Sequence, residues 1–520
     1  MTPTRWRCAR QITQVASVLI FFLLAVLTYR GVETLIPLDL YLRLDPLAAL
    51  AAMIASRAVI AGMVIALAAI LLGLALGRAW CGWLCPLGAL LDWIAPKSNK
   101  VAPNRVSPGV KYVLLLVIFF AALLGNLTLL ILDPITVLNR TFGGAVLPAL
   151  NVILTQIEIA LYPVAPPAQP ALDWIEQNWR GTLLPAQQTF YEMGWLLALT
   201  FVGIVALNWV TPRLWCRSVC PLGAVYALLA KISWLRPRAV KDCSHCAACM
   251  RACPTGAIAV TKTGFTVDPA ECVVCMDCVT ACPEAVIAIT FGGNRERDRG
   301  AFDFSRRHFI GGALASVGIV ALARSAPQAK RDFPHLVRPP GARDFTQPLG
   351  APGTHDSDFL SKCIRCGECS KVCPTGALQP SLFEAGVEGF WSPQLYPRLG
   401  YCDFSCNACG QICPTGAIPL LALETKRTTV IGTAYIDQNR CIPWASFRPC
   451  IVCEEMCPVP EKAIKLETVE VVAPTGKSVR VQRPRVVSDL CIGCGICEYQ
   501  CPLTGNAAIR VHTPMPLPPL

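Results

Sequence analysis

The sequence predicts a multidomain protein: an α-helical membrane bundle of four spans plus a fifth, joined to small α+β domains built around cysteines. Three observations carry that prediction. Of 520 residues, 54% are hydrophobic and only 15% charged, against about 25% charged in an average soluble domain. Four apolar stretches, at about 14–35, 55–77, 110–132 and 190–210, reach the ~20 residues that a helix needs to cross a bilayer. Of 29 cysteines, six four-cysteine motifs take 24, two C-x3-C-P motifs take four more, and Cys8 is left over. Size and apolar content exclude a disordered chain and a small disulfide scaffold.

Loop charges orient the spans. Arg5, Arg7 and Arg10 precede the first. Lys97, Lys100, Arg105 and Lys111 follow the second, and Arg213, Arg217, Lys231, Arg236, Arg238 and Lys241 follow the fourth. These belong on the cytoplasmic side. The loop 133–189 has only Arg140 and Arg180 and belongs outside. A fifth segment differs. Ser305-Arg306-Arg307-His308-Phe309-Ile310 precedes the short, glycine-rich run GGALASVGIVALA. This is the pattern of a twin-arginine signal or anchor inside the chain; the plainer reading is a basic flank on an ordinary helix. A twin-arginine crossing suits a cluster-bearing domain, which has to cross already folded.

After the second and fourth spans the chain repeats itself as R-x-W-C-x3-C-P-L-G-A, at Arg78–Ala89 and Arg213–Ala224. Two matching halves predict a pseudo-symmetric pair of hairpins. Cysteines four apart share a face if the segment is helical, and the proline after the second cysteine starts a new helix. Cys81, Cys85, Cys216 and Cys220 are therefore candidates for a cluster or a redox-active thiol set. The bland alternative is helix-end packing by small apolar side chains.

The remaining motifs end in C-x3-C-P. Cys243, Cys246, Cys249 and Cys253, then Cys272, Cys275, Cys278 and Cys282, form the run of a bacterial two-cluster ferredoxin, in which the fourth cysteine ligates the other cluster. One [4Fe–4S] set is then Cys243, Cys246, Cys249 and Cys282, and the other Cys272, Cys275, Cys278 and Cys253. Structural zinc would not need this interleaving. Four more motifs follow: Cys363, Cys366, Cys369 and Cys373; Cys402, Cys406, Cys409 and Cys413; Cys441, Cys450, Cys453 and Cys457; Cys491, Cys494, Cys497 and Cys501. The outer two are regular and the inner two widened, so we expect nesting. Cys363, Cys366 and Cys369 would pair with Cys501, and Cys491, Cys494 and Cys497 with Cys373. Cys402, Cys406 and Cys409 would pair with Cys457, and Cys441, Cys450 and Cys453 with Cys413. Disulfides, the alternative outside the cell, leave the motif unexplained. Thr255-Gly256-Ala257, Thr375-Gly376-Ala377 and Thr415-Gly416-Ala417 mark turns into short strands.

The expected organisation is a membrane domain at 1–240, a cytoplasmic two-cluster ferredoxin at 241–300, a twin-arginine-like helix at 301–325, a linker at 326–355 and a periplasmic four-cluster ferredoxin at 356–520. The whole is an inner-membrane, multi-pass protein with α+β bacterial ferredoxin-like domains. The net charge of +12 shows no nucleic-acid pattern, and six oxidised clusters at about −2 each would offset it. No histidine lies in the four spans and no C-x-x-C-H occurs, so no haem is expected; no dinucleotide or flavin fingerprint is present. The chain reads as a conductor without a terminal catalytic domain.

On these residues, the first 300 positions resemble the NapH-type membrane ferredoxins of periplasmic nitrate reductase systems. The carriers are the spans, both C-x3-C-P motifs and the ferredoxin at 243–283. Residues 305–520 resemble the NapG-type periplasmic ferredoxins through Arg306-Arg307-His308-Phe309, the four motifs and the C-x8-C gap from Cys441 to Cys450. The MauN and MauM proteins of methylamine dehydrogenase systems are similar. The chain departs in fusing both halves. The resemblance implies a quinol dehydrogenase-type component that passes electrons from the quinone pool to a periplasmic redox partner. The alternative is an accessory or maturation factor supplying reducing equivalents for cofactor assembly; a third reading draws electrons from a cytoplasmic donor. Polar groups near the spans, Arg57, Asp133, Arg140 and Glu192, are the quinol candidates, although Asp133-Pro134 also reads as a helix boundary.

Overall fold

The computed structural model describes residues 3–28, 37–95, 109–164, 166–179, 189–239, 243–261, 264–291, 306–324, 336–343, 356–472 and 478–513. Lys97, Lys100, Arg105, Arg180, Lys241 and Ser305, and most of the expected linker, lie outside them. The chain forms two compact units. One comprises Met1–Leu27, Thr34–Phe142 and Trp195–Ala321, the other Thr28–Glu33, Gly143–Gly194 and Leu322–Leu520.

In the first unit, α1 (Pro3–Leu27) is long and apolar enough to cross a membrane. Short α2 (Leu40–Arg43) leads to α3 (Pro46–Ser56). The expected second span is interrupted. Arg57 ends α3 in the left-handed region, and the helix resumes through a 3₁₀ turn at Ala61–Met63 into α4 (Ala66–Leu76). The third begins as α6 (Val110–Leu123), after α5 (Pro86–Ile94), and breaks at Gly125 (φ 78°) before α7 (Pro134–Thr141). α3, α5 and α7 start by one rule: an acceptor side chain, then proline at the first helical position. Asp45 accepts from Leu47 N (2.8 Å) and Ala48 N (3.2 Å), and Asp133 from Thr136 N (2.8 Å).

The 133–189 segment, read as a loop from its lack of charge, is mostly helical: α7 runs through a π turn into α8 (Leu147–Val164), then α9 (Gln169–Trp179). Pro134–Val164 is the second stretch of membrane-crossing length and hydropathy among the described residues. α10 (Gly194–Val210) and α11 (Pro221–Ala230) complete the first unit's main helices. α11 packs on α4 where Gly73 lets Leu229 and Tyr226 approach within 3.0–3.1 Å of the Cβ it lacks, the small-residue contact typical of membrane helix pairs.

The first ferredoxin starts earlier than expected. β1 (Leu235–Ala239) pairs with β4 (Ile287–Phe291), antiparallel from Leu235↔Phe291 to Ala239↔Ile287, so the fold closes through residues ahead of position 241. Inside it, α12 (Ala248–Ala252), the hairpin β2 (Ile258–Thr261)–β3 (Gly264–Val267) and α13 (Asp277–Ala281) carry the motifs. α14 (Arg306–Arg324) lies against α6, with Phe309 edge-on to Phe120 and Gly312 over Leu116.

The second unit repeats the plan twice. The hairpin β5 (Leu378–Pro380)–β6 (Pro393–Leu395) divides one pair of motifs. The other pair has an outer ladder of β7 (Thr433–Ile436) and β10 (Ile509–His512), and an inner hairpin lengthened to nine residues a strand, β8 (Ile464–Val472)–β9 (Ser478–Val486). One core serves both: Phe359, Leu360, Leu378, Ile418, Ile464 and Ile509 pack together with the cysteines, each contributing roughly 1.5–3 kcal/mol by burial.

Candidate metal centres

The regular motifs share one backbone device. The residues flanking the middle cysteine are left-handed: His245 (59°) and Ala247 (56°), Val274 (53°) and Met276 (67°), Arg365 (59°) and Gly367 (82°), Gly493 (75°) and Gly495 (82°). This winding turns successive N–H groups inward, a concavity suited to an anion. The N–H of Val274, Arg365 and Gly493 reaches the sulfur of Cys272, Cys363 and Cys491, and His245 N donates to Cys243 Sγ at 3.4 Å. Two residues further on, the N–H of Asp277, Glu368 and Ile496 reaches Cys275, Cys366 and Cys494. The fourth cysteines receive their own bonds: Ala257 N to Cys253 Sγ (3.3 Å), Val286 N to Cys282 (3.4 Å) and Ile418 N to Cys413 (3.4 Å).

In the first ferredoxin the thiols of Cys243, Cys249 and Cys282 adjoin, Cys246 lies exposed beside them, and Cys253 adjoins Cys272, Cys275 and Cys278. In the second unit the nested expectation fails. Cys363, Cys366 and Cys369 meet Cys413, not Cys501; Cys402, Cys406 and Cys409 meet Cys373, not Cys457. Cys441, Cys450 and Cys453 meet Cys501, not Cys413, and Cys491, Cys494 and Cys497 meet Cys457, not Cys373. The motifs pair in chain order because each pair folds around its own hairpin, β5–β6 or β8–β9. Irregular spacing marks one member of each pair rather than an inner pair.

The sets also follow one another. Cys369 adjoins Cys409, Cys402 adjoins Cys494 with Cys402 N donating to Cys494 O (2.8 Å), and Cys497 adjoins Cys453. Cys363, Cys366, Cys369 and Cys413 line one pocket, and Cys441, Cys450, Cys453 and Cys501 another. These cages, with their inward N–H groups, fit a cube-shaped anionic cluster. Burial pushes the thiols up, Cys272 and Cys402 to about 11 and Cys278 and Cys494 to about 12, so they shed their protons on binding metal.

The two C-x3-C-P motifs form a second centre. Each follows a π turn, Trp80–Leu84 or Trp215–Val219, and each second cysteine caps the next helix, Cys85 Sγ accepting from Gly88 N and Cys220 Sγ from Gly223 N (3.2 Å). A shared helical face is therefore not what aligns the cysteines. The arginines cross over instead: Arg78 Nη2 donates to Cys216 O (3.2 Å), and Arg213 Nη1 to Cys81 O (3.1 Å). The four thiols Cys81, Cys85, Cys216 and Cys220 lie near one another, and burial, with the neighbouring thiols, pushes Cys85 and Cys220 up and takes Cys216 to about 11.

This face also carries the first ferredoxin. Arg78 donates to Ala270 O (2.6 Å) and Glu271 (3.1 Å), Lys111 pairs with the same carboxylate, and Arg10 reaches Asp277 (3.5 Å). Trp83 Nε1 donates to Val274 O (2.9 Å), and a Cβ on Gly82 would stand 2.2 Å from Val273 O. Of the quinol candidates, Asp133 is buried, with Asp45 and Arg140 nearby. Arg140 also donates to Ile131 O (2.6 Å). Arg57 and Glu192 are exposed.

Residues 58–103 and 193–240 match the model of a 4Fe-4S binding domain, and 242–286 and 362–418 match models of a 4Fe-4S dicluster domain. The chain is 32% identical over 214 residues to the methylamine utilization ferredoxin-type protein MauM of Methylorubrum extorquens, covering 40% of this chain and 88% of that protein. It is 34% identical over 213 residues to the ferredoxin-type protein NapG of Escherichia coli, 40% and 84% respectively. Against the ferredoxin-type protein NapH of Haemophilus influenzae the identity is 22% over 183 residues, 34% of this chain and 47% of that protein. No solved structure matches.

The chain belongs to the NapG/MauM family of ferredoxin-type proteins. As a NapG/MauM-type protein it is an iron–sulfur electron-transfer protein with [4Fe–4S] clusters. The dicluster model over 362–418 closes just beyond Cys413, and so takes the same two motifs together as the sulfur neighbours do. Sequence reasoning on this ferredoxin-type protein missed Gly82, Glu271 and Lys426. Glu271 was legible as an acid beside Cys272. Gly82 differs from its repeat counterpart Arg217 and so was a visible break in symmetry. Lys426, buried and close to Cys402, gave no signal.

Proposed function

We propose that this ferredoxin-type protein is a membrane-bound conduit that carries electrons from quinol to a periplasmic oxidoreductase, nitrate reductase-like or similar. The carrying observation is the unbroken row of cysteine sets in the second unit, from Cys363, Cys366, Cys369 and Cys413 at one end to Cys441, Cys450, Cys453 and Cys501 at the other. Six sets would each hold one [4Fe–4S], with the C-x3-C-P thiols as a candidate seventh centre. Each such cluster supplies a one-electron step with little change in shape. The chain's own part is to hold the sets adjacent, bury or half-bury every set cysteine but Cys246 and direct N–H groups at them.

The proposed sidedness rests on what each ferredoxin touches. The first binds Arg10, Arg78 and Lys111, which flank spans on the side read as cytoplasmic. The second is tied to the end of the segment read as external: Tyr191 Oη donates to Ser370 O (2.8 Å) and Gln379 Nε2 to Phe190 O (2.9 Å). Four spans and α14 as a retained anchor are consistent with this. The resemblance to the ferredoxins of periplasmic nitrate reductase systems, and the methylamine utilization in the name of MauM, suggest the class of external partner.

The test uses the intact chain, purified anaerobically and reconstituted in liposomes. A quinol analogue is expected to reduce the clusters, seen as bleaching and a reduced-cluster EPR signal. A membrane-impermeant reagent should label a cysteine introduced at Arg480 from outside, and one at Thr266 only after permeabilisation. Labelling of both from one side, or no reduction by any quinol, would overturn the reading. Pairing is checked separately: Cys413→Ser should perturb the same EPR signal as Cys363→Ser, and Cys501→Ser a different one.

A further inference from the structure

The first unit contains a pocket of about 610 Å³ that no part of the foregoing uses. Its walls come from three sources: α1 and α4 (Trp6, Leu72, Leu76), the first C-x3-C-P turn (Trp80, Trp83), and the ferredoxin (Met276 and its neighbours). We infer that this pocket is the binding site for the ring and first isoprenoid units of a membrane quinone or quinol, at the junction of the first C-x3-C-P turn with the first ferredoxin. The inference deepens the quinol-donor reading and rests on it.

Four observations select this occupant. First, none of the described lining residues is charged, so the pocket offers nothing to a phosphate headgroup or a nucleotide. Second, the walls carry the aromatic rings of Trp6, Trp80, Trp83 and Phe291 and the thioether of Met276, surfaces that suit a flat ring. Third, a wall residue holds an unmatched donor: Trp80 is 4% exposed and its Nε1 has no hydrogen-bond partner among the described residues, whereas Trp83 Nε1 is committed to Val274 O. A buried N–H of that kind costs about 1–3 kcal/mol until it is satisfied. Fourth, the pocket lies where a lipid-soluble molecule arrives. Leu67 and Leu71 on α4 and Leu19 and Leu23 on α1 are exposed apolar side chains, and exposed Trp6, Trp234 and Phe291 form the kind of aromatic rim found at a membrane surface.

The position is also the useful one. Val274, Met276 and Val279 of the wall alternate with Cys272, Cys275 and Cys278, and Ala79, Trp80 and Leu84 flank Cys81 and Cys85. A ring held there contacts the peptide segments that carry both thiol sets. The buried Asp133 and Arg140, singled out from sequence as quinol contacts, are not among the residues lining it.

The test is equilibrium binding, read apart from turnover. Intact anaerobic protein in nanodiscs is titrated with a short-chain quinone while tryptophan fluorescence is followed, and an azido-quinone maps the site by mass spectrometry. Leu76→Trp and Ala288→Trp fill the pocket from opposite walls. Each is expected to weaken quinone binding at least tenfold, with iron content and the dithionite-reduced EPR spectrum unchanged, and wild-type label should fall within residues 72–84 or 274–289. If one variant loses iron, the other decides. Wild-type affinity retained in the iron-replete variant, or label confined to other peptides, overturns the site. Failure of wild type to bind any quinone or be reduced by any quinol instead removes the donor reading itself.

Discussion

The two C-x3-C-P halves differ in one respect that matters. Both wind a π turn, both cap the next helix with their second cysteine, and each arginine reaches the other half's cysteine carbonyl. Yet Arg213 turns inward, to Asp92 at 2.5 and 2.6 Å, while Arg78 turns to Glu271 of the ferredoxin. At the next divergent position, Gly82 lets the ferredoxin backbone touch the turn, whereas Arg217 lies against Gly256, whose missing Cβ would be 3.0 Å from the guanidinium. A duplicated element has thus been divided: Arg213 fastens the helical part to itself, while Arg78 and Gly82 fasten it to the first ferredoxin, against which Arg217 of the other copy also lies.

The largest expected effect comes from removing the inward arginine. Arg213→Ala leaves Asp92 buried with Gln14 as its remaining side-chain partner and should cost on the order of 3–5 kcal/mol, read as a lower thermal midpoint of the whole protein. Arg78→Ala should cost less, because Lys111 still holds Glu271; equal losses would erase the division of labour. Next is Gly82→Val, which drives a side chain into Val273 O and costs about 1–3 kcal/mol by overpacking. Its signature is local: faster alkylation of Cys275 and proteolysis near the first ferredoxin, with the second unit unaffected. Cys81→Ser and Cys216→Ser sharpen the symmetry. If both halves share one centre, each lowers iron by about four per chain and leaves the ferredoxin EPR signals in place. The smallest effect is Arg217→Gln. Removing a cation that interacts with Cys253 should lower the potential of the cluster in that set by on the order of 50 mV, where a tenfold change in a one-electron equilibrium is 59 mV. An unchanged redox titration would contradict that placement.

The cysteine motifs were legible because the spacing and the chemistry are the same fact. The helix starts at Pro86, Pro221 and Pro134 were legible from C-P and D-P pairs, and the turns at Gly256, Gly376 and Gly416 (each φ 65°) from T-G-A. What stayed hidden is non-local. Pairing among four equivalent motifs depends on which hairpin each folds around, and regularity of spacing carries no information about that. The segment 133–189 was judged by its lack of charge, which bears on sidedness but not on helicity; its apolar content pointed to a helix. The break in the second span needed Arg57 to adopt a left-handed conformation (φ 53°), which no propensity would suggest for arginine. The crossed arginines were visible as a repeat, but their exchange of partners was not.

The left-handed pairs around each middle cysteine have a consequence for how the protein is made. Glycine fills three of the eight positions, Gly367, Gly493 and Gly495; the other five carry side chains, which pay roughly 1–2 kcal/mol apiece for that winding. Until inorganic sulfide and iron arrive, these loops have reason to relax. Maturation and folding are then one event, and a chain that has not received its metal carries that fact in its own shape, legible to proteases and to any export machinery that accepts only finished cargo.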